Sequence, residues 1–267
     1  MTRAAWRAPC EAWDRSVASR HGPRLRKNIG FTSRCGAADC GPALLLLLAV
    51  AATAQAAEPR LPDLQLTYAT AWNGFKLGDV IITLKPAAGP DCYQYESRSD
   101  PVGLVRMFYG KPRELSEFCI RKGRVVPQRF SFVNPKDEDD NFTLNFDLAA
   151  GKVMGGVGER DIPANAQDRF GLQQAVRLWV IQHAGKNDKE TVEFAMVDDD
   201  RIKTYRFAIT AYEEVEVPAG RFETVLVQRV DDPRKTSKFW LAPARDYMPV
   251  KVEQVKDGDS DLRMVLK

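Results

Sequence analysis

Phe142-Thr143-Leu144-Asn145-Phe146-Asp147-Leu148 alternates apolar and polar side chains without a break. In an extended chain successive side chains point to opposite faces, so Phe142, Leu144, Phe146 and Leu148 share one face and Thr143, Asn145 and Asp147 take the other. The stretch reads as a strand with one dry and one wet face. The same period of two recurs at Tyr205, Phe207 and Ile209, and at Phe130 and Phe132. Turn signals separate such runs, among them Asn73-Gly74, Gly89-Pro90, Lys122-Gly123, Ala150-Gly151, Pro218-Ala219-Gly220 and Asp257-Gly258. The expected fold is mainly β: a curved antiparallel sheet or partial barrel of about a dozen strands, mostly joined by hairpins.

One segment breaks the alternation. Asp168 can cap a helix running from Arg169 to about Ala184, with Gly185 just past its end. Leu172, Ala175, Val176, Trp179 and His183 fall on one stripe at spacings of three and four, which predicts a helix packed against the sheet. Residues 156–168 read as the loop leading into it, with sheet segments 63–155 and 189–267 on either side. No internal repeat and no linker composition interrupts the chain, so residues 57–267 are expected to form a single mainly-β domain.

Upstream of this domain the chain changes character. Residues 43–52 form an uncharged apolar run of ten, too short for a stable membrane span of about twenty residues and right for the core of a signal peptide. Ala54 and Ala56 supply the small-x-small pattern of signal peptidase, which places cleavage after Ala56, with Ala57 the second choice. The basic stretch before the run is longer than forty residues; either the leader of residues 1–56 is unusually long, or translation starts later, at Val17 or Leu25. No cysteine follows the run near the cleavage site, which argues against a lipid anchor. Through Ala56 the chain holds eight Lys and Arg against three Asp and Glu, leaving thirty-one against thirty-three for the rest. The net charge of +3 therefore belongs to the leader, and the processed chain, near −2, has no basic stripe for nucleic acid. The expected address is the periplasm, with the processed protein soluble rather than integral to a membrane.

Processing also reduces five cysteines to two, Cys92 and Cys119, an even pair in an oxidising compartment. If residues 91–98 and 113–120 pair antiparallel around a turn near Gly103–Phe108, Cys92 faces Cys119 and Tyr93 faces Phe118. A disulfide between these cysteines is expected, the alternative being two buried thiols.

The chemistry these residues rule out is extensive. His183 is the one histidine of the processed chain, so His-based zinc and iron sites and an H-E-x-x-H protease are excluded by count, as is a Cys-rich metal site. Its place in the last helical turn suits capping or packing. A G-x-S-x-G elbow and a Gly-rich phosphate loop before a helix are both missing. Asp257-Gly258-Asp259-Ser260-Asp261 begins like a calcium loop, but Leu262 stands where such loops need Gly, and a wet hairpin turn is the simpler reading. No catalytic residue, cofactor or metal is assigned. Trp72, Phe75, Tyr93, Tyr95, Trp179 and Trp240, with Phe108 and Tyr109, are candidates to line an apolar cavity, the alternative being ordinary core packing.

The C-terminal half carries a resemblance. Val215-Glu-Val-Pro-Ala-Gly-Arg-Phe-Glu-Thr-Val-Leu-Val-Gln-Arg229 and Phe239-Trp-Leu-Ala-Pro-Ala-Arg-Asp-Tyr-Met-Pro-Val-Lys-Val-Glu-Gln254, with Asn73-Gly-Phe-Lys-Leu-Gly78, Asn145-Phe-Asp147 and the segment Asp168 to Trp179, resemble the bacterial exported family called domain of unknown function 3108. The resemblance implies a curved antiparallel sheet wrapping a helix, similar to periplasmic lipoprotein carriers. It implies no reaction, catalytic residue or cofactor. The function expected from all this is a non-enzymatic binding or structural module of the cell envelope, taking an apolar small molecule or a partner protein. The alternatives are a carboxylate-dependent hydrolase of envelope glycans or peptides, which needs two carboxylates facing each other in a cleft, and an interaction scaffold using an open sheet edge.

Overall fold

The computed structural model describes residues 60–186 and 189–267, so the leader and the cleavage positions Ala56 and Ala57 lie outside the described residues. The chain first lays down β1 (Leu64–Trp72), β2 (Phe75–Pro86), β3 (Cys92–Pro101), helix α1 (Gly103–Tyr109), β4 (Arg113–Arg121), β5 (Arg124–Val133), β6 (Phe142–Asp147), β7 (Lys152–Gly155) and β8 (Gly158–Asp161). A two-residue β9 (Ala166–Gln167) and helix α2 (Arg169–His183) follow. Then come β10 (Thr191–Val197), β11 (Ile202–Val217), β12 (Gly220–Arg229), β13 (Lys235–Ala242), β14 (Met248–Lys256) and β15 (Asp259–Leu266).

All fifteen strands belong to one open, curved sheet, ordered β8-β7-β6-β5-β4-β3-β2-β1-β15-β14-β13-β12-β11-β10-β9. Two meanders meet where the first strand pairs with the last, Tyr68 opposite Leu266 and Trp72 opposite Leu262. Every pairing is antiparallel except β9 with β10. Residues 63–155 and 189–267 thus supply the two arms of a single sheet, as expected. Breaks in register at Thr70/Ala71, Glu117/Phe118, Ile209/Ala211, Trp240/Leu241 and Gln254/Val255 supply local bends, because an extra residue on one strand increases its twist.

The alternation that predicts the strands also sets their burial. Phe142 and Leu144 are buried, as are Tyr205, Phe207, Ile209, Phe130 and Phe132, while Thr204, Arg206 and Arg129 face solvent. The β3–β4 register has Cys92 opposite Cys119 and Tyr93 opposite Phe118, as expected. The backbone bond from Ile120 to Asp91 marks that pair as hydrogen-bonded, so the next pair along, Cys92 and Cys119, lies at the closer, non-hydrogen-bonded spacing. The two sulfurs are bonded, closing a sequence separation of 27.

Three features differ from expectation. The strands number fifteen because β7, β8 and β9 are only two to four residues long, too short for a period of two to show, and β8 and β9 fall within 156–168, a segment expected to be loop. The turn expected near Gly103–Phe108 does join β3 to β4 but contains the helix α1, giving two α-helices among the described residues. Finally, α2 is buried nearly all round instead of along one stripe. Phe170, Ala175 and Leu178 belong to a core built mainly from β1–β6 and β14, and Leu172, Val176, Trp179 and Val180 to a second core with Met196, Phe207, Val225 and Leu241. The sheet wraps the helix, so both its sides are interior.

Candidate functional site

Wrapping α2 between the two meanders buries polar groups along with apolar ones. Asp168 caps the helix as the sequence predicts, its Oδ1 accepting from the backbone N–H of Phe170 and of Gly171, both at 2.9 Å. Its second oxygen accepts from Ser116 Oγ on β4 at 2.9 Å. Arg169, 1% exposed, donates to Glu114 on β4 at 2.8 Å and to Asp198 after β10 at 2.9 Å, over the rings of Phe130, Phe132 and Phe142. Desolvation pushes the Asp168 carboxyl up to about 6, with the hydrogen bonds it accepts pulling back, and raises Glu114 against the opposing pull of Arg169. Further along α2, Arg177 donates to the Asp246 carbonyl at 2.7 Å and to Gln174 at 3.0 Å.

In front of the first turns of α2 the concave face of the sheet leaves a cleft of about 140 Å³. Leu77, Val80 and Ile82 of β2, Phe132 of β5, Phe170 of α2, and Val252 and Met264 of β14 and β15 are among the apolar side chains of its wall. Glu114 and Gln173 close its inner end, with Tyr68 and Tyr95 beside them; the Tyr68 hydroxyl donates to the Pro249 carbonyl at 2.7 Å. Burial raises the pKa of both phenols, so they stay neutral hydrogen-bonding groups in an apolar wall. The outer rim is formed by Trp72, 42% exposed, and Tyr109, 37% exposed. Gly78 is essential to this wall. Its φ is +144°, and a Cβ there would lie 2.4 Å from the Asp100 carbonyl oxygen, so only glycine lets β2 pass the end of β3.

Among the sequence candidates, Trp72, Tyr95 and Tyr109 lie on the cleft wall or its rim. Phe75 is 77% exposed beyond the rim. Tyr93 stacks on Phe118 at 5.9 Å, and its hydroxyl accepts from the Leu61 N–H. Trp240 is buried, its indole N–H bonded to Glu213 and Lys251 over its ring. Trp179 lines a separate cavity of about 400 Å³ between α2, β10 and the β4–β5 turn. His183 stacks on Trp179 at 5.5 Å and places Nδ1 2.8 Å from its carbonyl, a packing arrangement. The run Val80-Ile81-Ile82-Thr83-Leu84 reads as a strand, but Ile81 breaks its alternation, so the sequence does not show that Val80 and Ile82 face a cleft. Nor does it show this of Phe170 and Gln173, because their faces on α2 depend on a second layer of sheet.

The carboxylates on the cleft wall already have partners. Asp79 takes Lys267 Nζ at 2.8 Å, Asp261 the Trp72 indole N–H, and Glu114 the Arg169 guanidinium. A raised carboxyl in a cleft is the usual mark of an acid catalyst, but Glu114 is 6% exposed and spends that position holding α2. Among the described residues there is no cluster of three or more His, Cys, Asp or Glu side chains able to hold a metal ion, and no helix long and apolar enough to cross a membrane.

No curated protein matches the chain. A solved structure from Bacteroides fragilis, described as a candidate exported protein with a YmcC-like fold, is similar to it at 12% identity and a TM-score of 0.34, over 78% of this chain and 96% of that one. The family model described as a protein of unknown function, DUF3108, matches residues 67–267, and the chain belongs to that family.

Proposed function

We propose that the chain is a non-enzymatic binding module of the bacterial cell envelope, holding part of an apolar ligand in the cleft between sheet and helix. The observation that carries this reading is the wall itself: apolar side chains from both meanders line a concavity that a packed core would have filled. Its volume of about 140 Å³ is close to that of an engineered apolar cavity that binds benzene, about 150 Å³. That suits a short stretch of acyl chain or one apolar group, with the remainder of the ligand leaving past Trp72 and Tyr109. Export to the periplasm, with cleavage after Ala56 or Ala57, is supported by the sequence of the leader, and residues 57–267 acting as one unit by the single sheet that runs through the fold. The bonded pair Cys92–Cys119 fits an oxidising compartment.

The test is uptake of cis-parinaric acid by protein purified from the envelope, followed by fluorescence, with native mass spectra of the same preparation. Saturable uptake is expected, together with a bound mass, and Val80→Trp, which fills the cleft, should weaken uptake at least ten-fold while the protein stays folded. A wild-type protein that shows only its own mass and takes up no probe overturns the reading.

A further inference from the structure

Over half of the exposed large apolar side chains among the described residues fall in two short stretches, 72–75 and 102–109. The β1–β2 hairpin turns through Asn73 and Gly74 at φ of 45° and 80°, with Trp72 opposite Phe75 at its tip. Helix α1 buries none of its residues and exposes Leu104 (70%), Met107 (54%) and Phe108 (65%). The two stretches are held side by side, since the Val102 N–H donates to the Leu77 carbonyl at 2.9 Å and Gly78 pairs with Pro101. Trp72 and Tyr109 belong to both the patch and the cleft wall, so the patch surrounds the mouth of the cleft.

We infer that this rim is a docking surface for a phospholipid bilayer, through which the ligand of the cleft is exchanged. The inference rests on the reading of the cleft as an apolar site. Single exposed apolar residues are ordinary, but a contiguous group around a cavity mouth costs solubility unless something covers it. The side chains are those that settle at a membrane interface: Trp72 and Tyr109 with a polar tip on an apolar ring, and Phe75, Leu104, Met107 and Phe108 to enter the acyl boundary. Charge around the rim complements lipid phosphate. Lys76, Arg106, Lys111 and Arg113 flank the two stretches, against Asp100 between Arg106 at 2.7 Å and Lys111 at 2.8 Å, Glu96 paired with Arg113, and Asp261 bonded to the Trp72 indole, so four cations face three carboxylates and the excess is one positive charge. The acidic run Asp137–Asp140 follows Lys136, which meets Gly110 at the end of α1. Its repulsion limits the electrostatic contribution and makes insertion of the apolar side chains the larger one.

The experiment is vesicle flotation of the processed protein, with phosphatidylcholine vesicles and with vesicles containing phosphatidylglycerol, run beside cis-parinaric acid uptake in vesicle-free solution. Wild-type protein floats with both, more with the anionic set. Phe75→Ser combined with Phe108→Ser reduces flotation at least ten-fold, and Lys76→Glu lowers it about five-fold on the anionic set alone. Val230→Ser, an exposed apolar site elsewhere, leaves it unchanged. All four positions are exposed, and melting temperatures of the variants confirm that they fold. A wild type that takes up the probe in solution yet fails to float overturns the docking surface and leaves the cleft reading intact; a partner protein at the rim would give this result. Flotation that the double variant retains also overturns it. Flotation without uptake would instead remove the cleft reading and keep the membrane contact.

Discussion

Replacing Asp168 by Asn tests whether the buried charge at the start of α2 is a burden that its hydrogen bonds only partly offset. The amide keeps the geometry: Oδ1 can still accept from Phe170 and Gly171, and Nδ2 can donate to the Ser116 hydroxyl in place of accepting from it. What changes is the charge. The folded carboxyl titrates near 6 against an ordinary 3.8. A raised pKa means that the folded state holds its proton more tightly, so the stability associated with the protonated form is complete below the unfolded pKa and is lost as pH rises through the folded one. A shift of this size corresponds to about 3 kcal/mol, of which about 2 kcal/mol falls between about pH 4.5 and pH 7.5. Urea unfolding of wild type and Asp168→Asn over that range, with equal m-values, should show the Asn protein gaining on the wild type by about this much as pH increases. Asp168→Ala, which removes the cap as well as the charge, should follow the same pH trend while staying about 1–2 kcal/mol less stable than the Asn protein at each pH. A wild type–Asn difference that is flat with pH, or that moves in favour of Asp as pH rises, refutes the reasoning.

Two further outcomes bear on the scaffold. Cys92→Ser with Cys119→Ser opens a loop of sequence separation 27 and should lower stability by about 3–4 kcal/mol in the chain-entropy account, read from the urea midpoint, with reductant then having no further effect. Arg169→Met leaves Glu114 and Asp198 buried without their shared cation and should cost about 3–5 kcal/mol near neutral pH. Part of that loss should return on acidification as Glu114, whose carboxyl burial already raises, takes up a proton, and unfolding at pH 5 and pH 7.5 distinguishes this from a simple packing defect.

The elements that a sequence shows best are those whose pattern is local. The period of two at 142–148 and 205–209 appears directly as burial, and the β3–β4 register follows from opposing Cys92 to Cys119 because a hairpin fixes every pair once one is known. Strands β7 to β9 carry too few residues to repeat anything. The surroundings of α2 were hidden for a different reason: a stripe at spacings of three and four marks one buried face, but Arg169, Gln174 and Arg177 are also buried, Arg169 paired with Glu114 on β4 and Arg177 with Gln174 beside it and with the distant Asp246 carbonyl. Charged residues read as surface until their partners are known. The cleft was legible only in part, since Trp72 and Tyr95 were singled out as aromatics whereas the aliphatic wall of β2 looks like any other strand.

The same pairing explains how a helix with two apolar sides keeps one position inside the sheet. Leu172, Val176 and Trp179 on one side and Phe170 and Leu178 on the other would tolerate some sliding, because apolar contact is non-directional. The planar guanidinium of Arg169 tolerates far less, since it bonds Glu114 of the first meander and Asp198 beside the second at once. Asp168 adds a third tie through Ser116. The edges of the sheet are joined nearby, Gln167 donating to the Val125 carbonyl at 2.9 Å and Arg160 to the Asp198 carbonyl at 2.8 Å. Glu114, itself one of these ties, and Gln173, one turn beyond Arg169, close the inner end of the cleft, so a cluster that burial makes expensive also sets the depth of the site. Loosening it should alter the cleft before it unfolds the sheet, and a partly destabilised Arg169 variant would then lose cis-parinaric acid uptake at urea concentrations where the strand signal is still intact.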